Sequence, residues 1–284
     1  MSISYDPTRA ALLHPSGRAT LFKSGDAGRL SLDAICAECS RLVYLRFESS
    51  AHQHELLREA LALLGAVAWA GFNDPATGAQ AFAAALPATG HALVVFRGTE
   101  PDRVSDIGVD LDASTTPWPQ GGMVHAGFAT AFNGVKDRIG AWLAGHAGSR
   151  VVFTGHSLGA ALATLAASNW AGSNLITFGS PRVGNTAFTQ TIQAQVVARY
   201  VDCCDIVTEL PPRTPWYEHV GNASYIDRGG KLRVAISNGE IEADRVAARV
   251  EYIVQYAWRL GSAPVRDLAD HAPINYERAL FPAI

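Results

Sequence analysis

The residues with the clearest chemical potential in this chain sit in Gly155-His156-Ser157-Leu158-Gly159. An apolar run, Val151-Val152-Phe153, leads into this Gly-x-Ser-x-Gly, and an Ala/Leu-rich segment follows it as far as Trp170. The pattern predicts strand, sharp turn and helix, with the serine at the apex beside the positive end of the helix. A serine hydroxyl is a poor nucleophile at neutral pH. It needs a base to take its proton, an acid to orient that base, and donors for the oxyanion that forms when it attacks a carbonyl. In folds built around such an elbow these follow in the order Ser, acid, His. Only His219 and His271 follow Ser157. His271 lies in Asp270-His271-Ala272-Pro273, after the last long helical stretch, where a loop can reach back. His219 opens a strand-like run, so position favours His271 and leaves His219 as the rival. Asp202 and Asp205 both follow the apolar run Val196–Val201. Asp202 ends the strand, and Asp205 stands in the turn beyond it, the better place from which to meet a histidine.

The elements that must position these residues alternate. Apolar residues recur at helical spacing from Ser31 to Phe47 after a Ser31 cap, and a second helix is expected over His52–Leu64. Strand-like runs follow at Val67–Phe72, Ala79–Leu86 and His91–Arg97, separated by Gly/Asn/Asp/Pro breakers, as in an antiparallel meander. Residues 100–122 are polar, proline-containing and irregular. A helix is then expected over Val124–His146, a strand over Asn174–Phe178, a helix from Thr186, and a strand over Val196–Val201. A hairpin is expected around Arg228-Gly229-Gly230, then a helix over Glu240–Leu260 and a short tail. Strands alternating with helices imply an α/β fold with a mainly parallel central sheet, helices on both faces and an antiparallel N-terminal part. With no repeat or low-complexity linker, residues 1–284 read as one domain with an N-terminal helical arm over about residues 1–65.

Bulk properties exclude several functions. Of the 284 residues, 48% are hydrophobic and 17% charged, ample for a large core. A formal charge of −3 gives no footprint for nucleic acid. The longest apolar candidate, Leu61–Phe72, is too short to cross a membrane. The N-terminus lacks a basic segment followed by an apolar one, and the four cysteines, Cys36/Cys39 and Cys203/Cys204, are too few and too clustered for a disulfide scaffold. Both points favour the cytoplasm. A four-cysteine zinc site is disfavoured, because adjacent cysteines rarely ligate one zinc together and an i, i+3 pair is one buried helix face. No metal or cofactor is expected.

Several segments carry a resemblance. Val95-Phe96-Arg97-Gly98-Thr99, Val124-His125-Ala126-Gly127-Phe128, the elbow through Ala163, and Thr177-Phe178-Gly179-Ser180-Pro181-Arg182-Val183-Gly184-Asn185 resemble the class 3 lipases. These are fungal-type triacylglycerol lipases and their bacterial relatives, of α/β-hydrolase fold. Asp205-Ile206-Val207-Thr208-Glu209-Leu210-Pro211-Pro212 is similar to their acid loop, with Thr208 where proline is common. Asp270-His271, with Tyr276 and Leu280, is similar to the segment carrying the base. Tyr217-Glu218-His219-Val220-Gly221 is similar to one that does not. The likeness covers about residues 91–228 and the C-terminal histidine segment.

Carried over, the resemblance implies Ser157 as nucleophile, His271 as base and Asp205 as its orienter. The oxyanion donors are the backbone N–H groups of Leu158 and Thr99, and Asp110 is the candidate to hold the Thr99 hydroxyl. A lid is implied over about residues 100–118. His156 is expected to pack or hydrogen-bond beneath the elbow, His125 to be structural, and Arg97 and Arg182 to hold loops near the site. The implied function is ester hydrolysis of acylglycerols or similar acyl esters through an acyl-serine, with a small-molecule or lipid substrate and transient contact with a lipid interface. Acyl transfer, feruloyl or phospholipid ester cleavage, and a non-catalytic binding protein of the same fold are the competing readings. The lid is rich in aspartate (Asp102, Asp106, Asp110, Asp112) and poor in large apolar groups, which predicts short- to medium-chain activity with weak interfacial activation.

Overall fold

A computed structural model describes residues 3–98 and 114–281. The first three helices are set by their caps. In α1 (Arg9–Leu13) the Thr8 hydroxyl accepts from Ala11 N, in α2 (Leu32–Leu42) Ser31 accepts from Ala34 N, and in α3 (Ala51–Leu63) Ser50 accepts from Gln53 N. Helix α2 stops at Leu42 rather than running to Phe47. The carbonyls of Val43 and Leu45 are taken instead by the Arg97 guanidinium, at 2.6 Å each.

Strands β1 (Ala68–Asp74), β2 (Ala79–Leu86) and β3 (His91–Phe96) pair antiparallel in the expected meander. Within the stretch read as irregular, β4 (Thr115–Pro117) pairs with β5 (Met123–His125) in a separate ribbon that turns at Gly121-Gly122. Helix α4 (Ala126–Ala144) therefore begins after His125, whose Nδ1 accepts from the N–H groups of Gly127 and Phe128 and closes the helix end. Next come β6 (Arg150–His156), α5 (Leu158–Asn169), β7 (Asn174–Phe178), the single turn α6 (Thr186–Thr189), β8 (Val196–Asp202), β9 (Ala223–Ile226) and the short β10 (Leu232–Arg233). The chain closes with α7 (Asn238–Gln255), α8 (Arg266–Ala269) and α9 (Pro273–Leu280). Helix α7 ends before Leu260 because the N–H groups of Tyr256 and Ala257 both turn onto the Tyr252 carbonyl.

The main sheet runs β1-β2-β3-β6-β7-β8-β9-β10. From β3 to β9 neighbouring strands are parallel, and β10 returns antiparallel. On one face Phe96, Phe153 and Leu175 pack with Phe132 of α4 and Leu165 of α5. On the other, Phe82, Val95 and Phe178 pack with Ile35 of α2, Leu57 of α3 and Tyr276 of α9. Both faces are covered, as a parallel sheet requires. No helix among the described residues is long and apolar enough to cross a membrane.

The turn from β6 to α5 works because its glycines let backbones touch. A Cβ on Gly155 would lie 2.5 Å from the Gly159 carbonyl, and one on Gly159 would collide with the Phe96 carbonyl of β3. Gly159→Ala is expected to lower unfolding stability by about 3 kcal/mol, the scale of an overpacked core. Gly148→Ala, a site with nothing within 4 Å of the added carbon, is the control. Urea unfolding midpoints separate the two; equal midpoints would show that the close approach does not constrain the turn.

Candidate active site

Ser157 sits between β6 and α5 at φ 58° and ψ −129°. This strained conformation holds its Oγ off the strand end. Its neighbour Leu158 opens α5, so the Leu158 N–H belongs to the first helical turn, where amides lack intrahelical acceptors and the helix dipole is positive. Thr99 and Asp110, with the lid read over residues 100–118, lie almost wholly outside the described residues. Gly98, just before Thr99, is described, and the β3 end beside it is anchored. Arg97 forms an ion pair with Glu48 at 2.7 Å in addition to its two carbonyl bonds.

The structure brings Ser157, His271 and Asp205 together. His271 Nε2 is 2.9 Å from Ser157 Oγ, and His271 Nδ1 is 2.9 Å from each Asp205 oxygen. All three are buried. A carboxylate can only accept, so Nδ1 carries the imidazole proton and Nε2 offers its lone pair to the serine hydroxyl. Two further donors hold the carboxylate: Val207 N at 2.9 Å on Oδ1 and the Tyr276 hydroxyl at 2.5 Å on Oδ2. Burial, then the Asp205 charge, pushes the Tyr276 phenol well up, so it stays a donor. Gly179, at φ 58°, leaves the space these groups occupy; a Cβ there would lie 2.7 Å from Asp205 Oδ2.

The loops carrying acid and base are held by separate polar contacts. Arg182 reaches across to the acid loop, where its backbone N–H donates to the Leu210 carbonyl at 2.7 Å and its guanidinium to the Pro211 carbonyl at 2.8 Å. His219, the rival base, donates Nε2–H to the Thr208 carbonyl at 2.8 Å and so belongs to that loop's underside. Asp202, the rival acid, accepts from Arg278 at 3.2 Å instead of meeting a histidine. His156 lies beneath the elbow. Its Nε2–H donates to the His271 carbonyl at 2.8 Å, which leaves Nδ1 to accept from the Tyr44 hydroxyl at 3.0 Å. Burial, then the neighbouring His271, holds His156 well below the usual histidine range, consistent with a neutral tautomer carrying one proton.

Asp270, next to His271, is gripped by Tyr5 at 2.9 Å, Arg266 at 3.0 Å and Cys204 N at 3.0 Å. Asn275 and Asp6 exchange two further hydrogen bonds, both 2.9 Å. The N-terminal arm thus clamps the segment that carries His271. In the sequence this arm reads only as a packed appendage, and nothing local in Tyr5 or Asp6 signals a contact some 265 residues away. Cys203, Cys204 and Asp270 offer three donor atoms within 4.8 Å of one another. Both Asp270 oxygens already accept hydrogen bonds, and a hydrogen bond donated to Cys204 together with burial pushes the Cys203 thiol far up, which keeps it protonated. Cys36 and Cys39 pack in the separate core beneath α2.

Two predictions follow from this geometry. Tyr276→Phe removes one charge-assisted donor from Asp205 and should lower kcat on a soluble ester about tenfold or more with KM little changed; an unaltered kcat would mean the phenol does not orient the acid. The second concerns pH. Burial, then Arg199 and Arg182, lowers His219 to about 3. Above the ordinary histidine value it is neutral in folded and unfolded chains alike. Below that value the unfolded chain takes up a proton that the folded one refuses, so stability falls with pH. His219→Asn should therefore lose about 2 kcal/mol less than the parent between pH 6.5 and 5 in urea unfolding, and identical losses would contradict the assignment.

Residues 93–214 match the model of the lipase (class 3) family. A lipase of Rhizopus niveus is 32% identical over 164 residues, which cover 52% of this chain and 42% of that one. The secreted mono- and diacylglycerol lipase 1 of Fusarium solani is 32% identical over 176 residues, 58% of this chain and 53% of its own. These alignments span about half the length of the curated relatives. Among solved structures, the triacylglyceride lipase of Rhizomucor miehei superposes with a TM-score of 0.56 at 23% identity, over 68% of this chain and 77% of that one. The mono- and diacylglycerol lipase of Aspergillus oryzae gives 0.55 at 23%, over 73% and 82%. The shared architecture is the α/β-hydrolase fold.

Proposed function

We infer the function of this chain from the match of residues 93–214 to the class 3 lipase family and from the arrangement around Ser157. The chain is a serine carboxylic ester hydrolase that cleaves acylglycerols or similar acyl esters. The observation that carries this reading is the continuous hydrogen-bond line from Asp205 through the two nitrogens of His271 to Ser157 Oγ, each step 2.9 Å. That distance is within reach of proton transfer.

In this mechanism His271 Nε2 takes the hydroxyl proton as Ser157 Oγ bonds to the acyl carbon. The carbonyl electrons move onto oxygen, and the oxyanion sits between the N–H groups of Leu158 and Thr99. Collapse of the adduct breaks the ester bond, and His271 returns its proton to the departing alkoxide. Water then attacks the acyl-serine by the same path and releases the acid. Asp205 stays ionised throughout; it fixes the ring tautomer and stabilises the imidazolium. Acylglycerols are the favoured substrate class because relatives matching the same region are lipases, one of them a mono- and diacylglycerol lipase.

Ser157→Ala should lower turnover of a p-nitrophenyl ester by about 10⁴-fold or more while leaving the circular dichroism spectrum unchanged. Turnover surviving that change would refute the mechanism. With tributyrin, the aspartate-rich lid predicts a smooth rise in rate through the solubility limit. A sharp jump there would show that lid opening at the interface controls the rate.

A further inference from the structure

Among the described residues, the outer side of helix α7 is exposed. Its inner side is firmly held: Ala248 and Tyr252 are buried, Arg245 donates to the Cys203 carbonyl at 2.9 Å, and Arg249 pairs with Asp267 at 2.8 Å. These contacts fix α7 to the two segments that lead into Asp205 and His271. The outer side carries Ala243, Val246, Val250, Ile253 and Val254, which fall within an arc of about 100° at 100° per residue. Beyond the helix the stripe continues through Ala257, Trp258 and Leu260. Exposure rises along it from 54% at Val246 to 73% at Trp258 and 106% at Leu260. An apolar strip of this length left open to water calls for an occupant.

We propose that this face adsorbs the protein to an uncharged lipid surface. Three observations favour lipid over a second copy or another protein. Trp258 and Leu260 project past the end of the helix, and a rigid partner would need pockets cut to receive them, whereas acyl chains yield. The Trp258 indole N–H is already satisfied by the Val254 carbonyl at 2.9 Å, so the ring can leave water without stranding a donor. Arg259 lies over the rings of both Tyr256 and Trp258, at 5.0 and 5.5 Å, and this places an aromatic–cation pair at the rim, where headgroups would be. The charge pattern selects the kind of lipid. The stripe itself is uncharged, Glu242 and Glu251 flank it, and Arg259 is the cation at its end. Anionic headgroups would gain little over neutral ones. The proposal extends the ester-hydrolase reading by naming a surface, distinct from the lid, that brings the protein to a water-insoluble ester.

The test is flotation of the full chain with pure phosphatidylcholine vesicles and with the same vesicles containing phosphatidylserine. The Ser157→Ala protein is used, so that binding is read without turnover. The parent should float with both kinds of vesicle to a similar extent. The double variant Trp258→Ser/Leu260→Ser should bind about tenfold more weakly or worse. In the Ser157 background, that same double variant should turn over a soluble p-nitrophenyl ester at the parent rate. Vesicle binding that survives the double change overturns the proposal. So does a parent that ignores vesicles and runs as a dimer in light scattering, with Ile253→Glu producing monomers; the face would then be an interface between copies. Binding confined to phosphatidylserine vesicles would also overturn it. Loss of soluble-ester turnover in the parent, with flotation intact, would count against the hydrolase reading and leave the adsorption surface standing.

Discussion

A fully buried carboxylate is the constraint on which the rest of this structure depends. Removing an ion from water costs several kcal/mol even after relaxation, and only well-aligned donors offset it. Asp205 is met by His271 Nδ1, the Tyr276 hydroxyl and Val207 N. Two of these donors come from the C-terminal segment and one from its own loop. That segment must therefore be brought back across the sheet end and held there, and much of the buried polar structure does this. Tyr5, Arg266 and Cys204 N grip Asp270, the Asp6–Asn275 pair ties down the start of α9, and Arg278 meets Asp202.

Ser157 is governed by a different and local constraint, close backbone contact. Gly155, Gly159 and the carbonyl of Phe96 allow β3, β6 and α5 to meet with no side chain between them. The two constraints join at His156, whose ring bonds the His271 carbonyl from beneath the elbow and receives the Tyr44 hydroxyl from the end of α2. Ser157 and His271 are thus positioned by neighbouring residues that share one hydrogen-bond chain. The same packing fixes Leu158 at the first turn of α5, with its N–H beside Ser157.

Legibility in the sequence tracks the range of the interactions. The elbow, the strands of the meander and the cap at Ser31 are local, and residue type and spacing expose them. The parallel order of β3, β6, β7 and β8 follows from strands alternating with helices, whereas β9 joins in parallel after only a short 3-10 turn at Ile206–Glu209, which that alternation does not announce. The separation of Asp205 from Asp202, and of His271 from His219, was approachable because chain order and loop position limit what can reach Ser157. The roles of Tyr5 and Asp6 depend on contacts across most of the chain, and that of Tyr276 on a contact 71 residues away; none leaves a periodic trace. The β4–β5 ribbon hid for another reason: its strands are three residues each, too short for alternation to register. Helix α9 resembles a tail in the sequence because Pro273 and polar Asn275, Glu277 and Arg278 mask a face whose Ile274 and Tyr276 are buried.

The central claim is that a buried, Asp205-oriented imidazole activates Ser157 and no other residue. It is tested most directly by reacting the protein with a fluorophosphonate and locating the adduct by peptide mass mapping, beside the His271→Ala and Asp205→Asn variants. The account predicts one adduct, on Ser157, forming far more slowly in both variants. Labelling at another residue, or equal rates of Ser157 labelling in all three proteins, would contradict it.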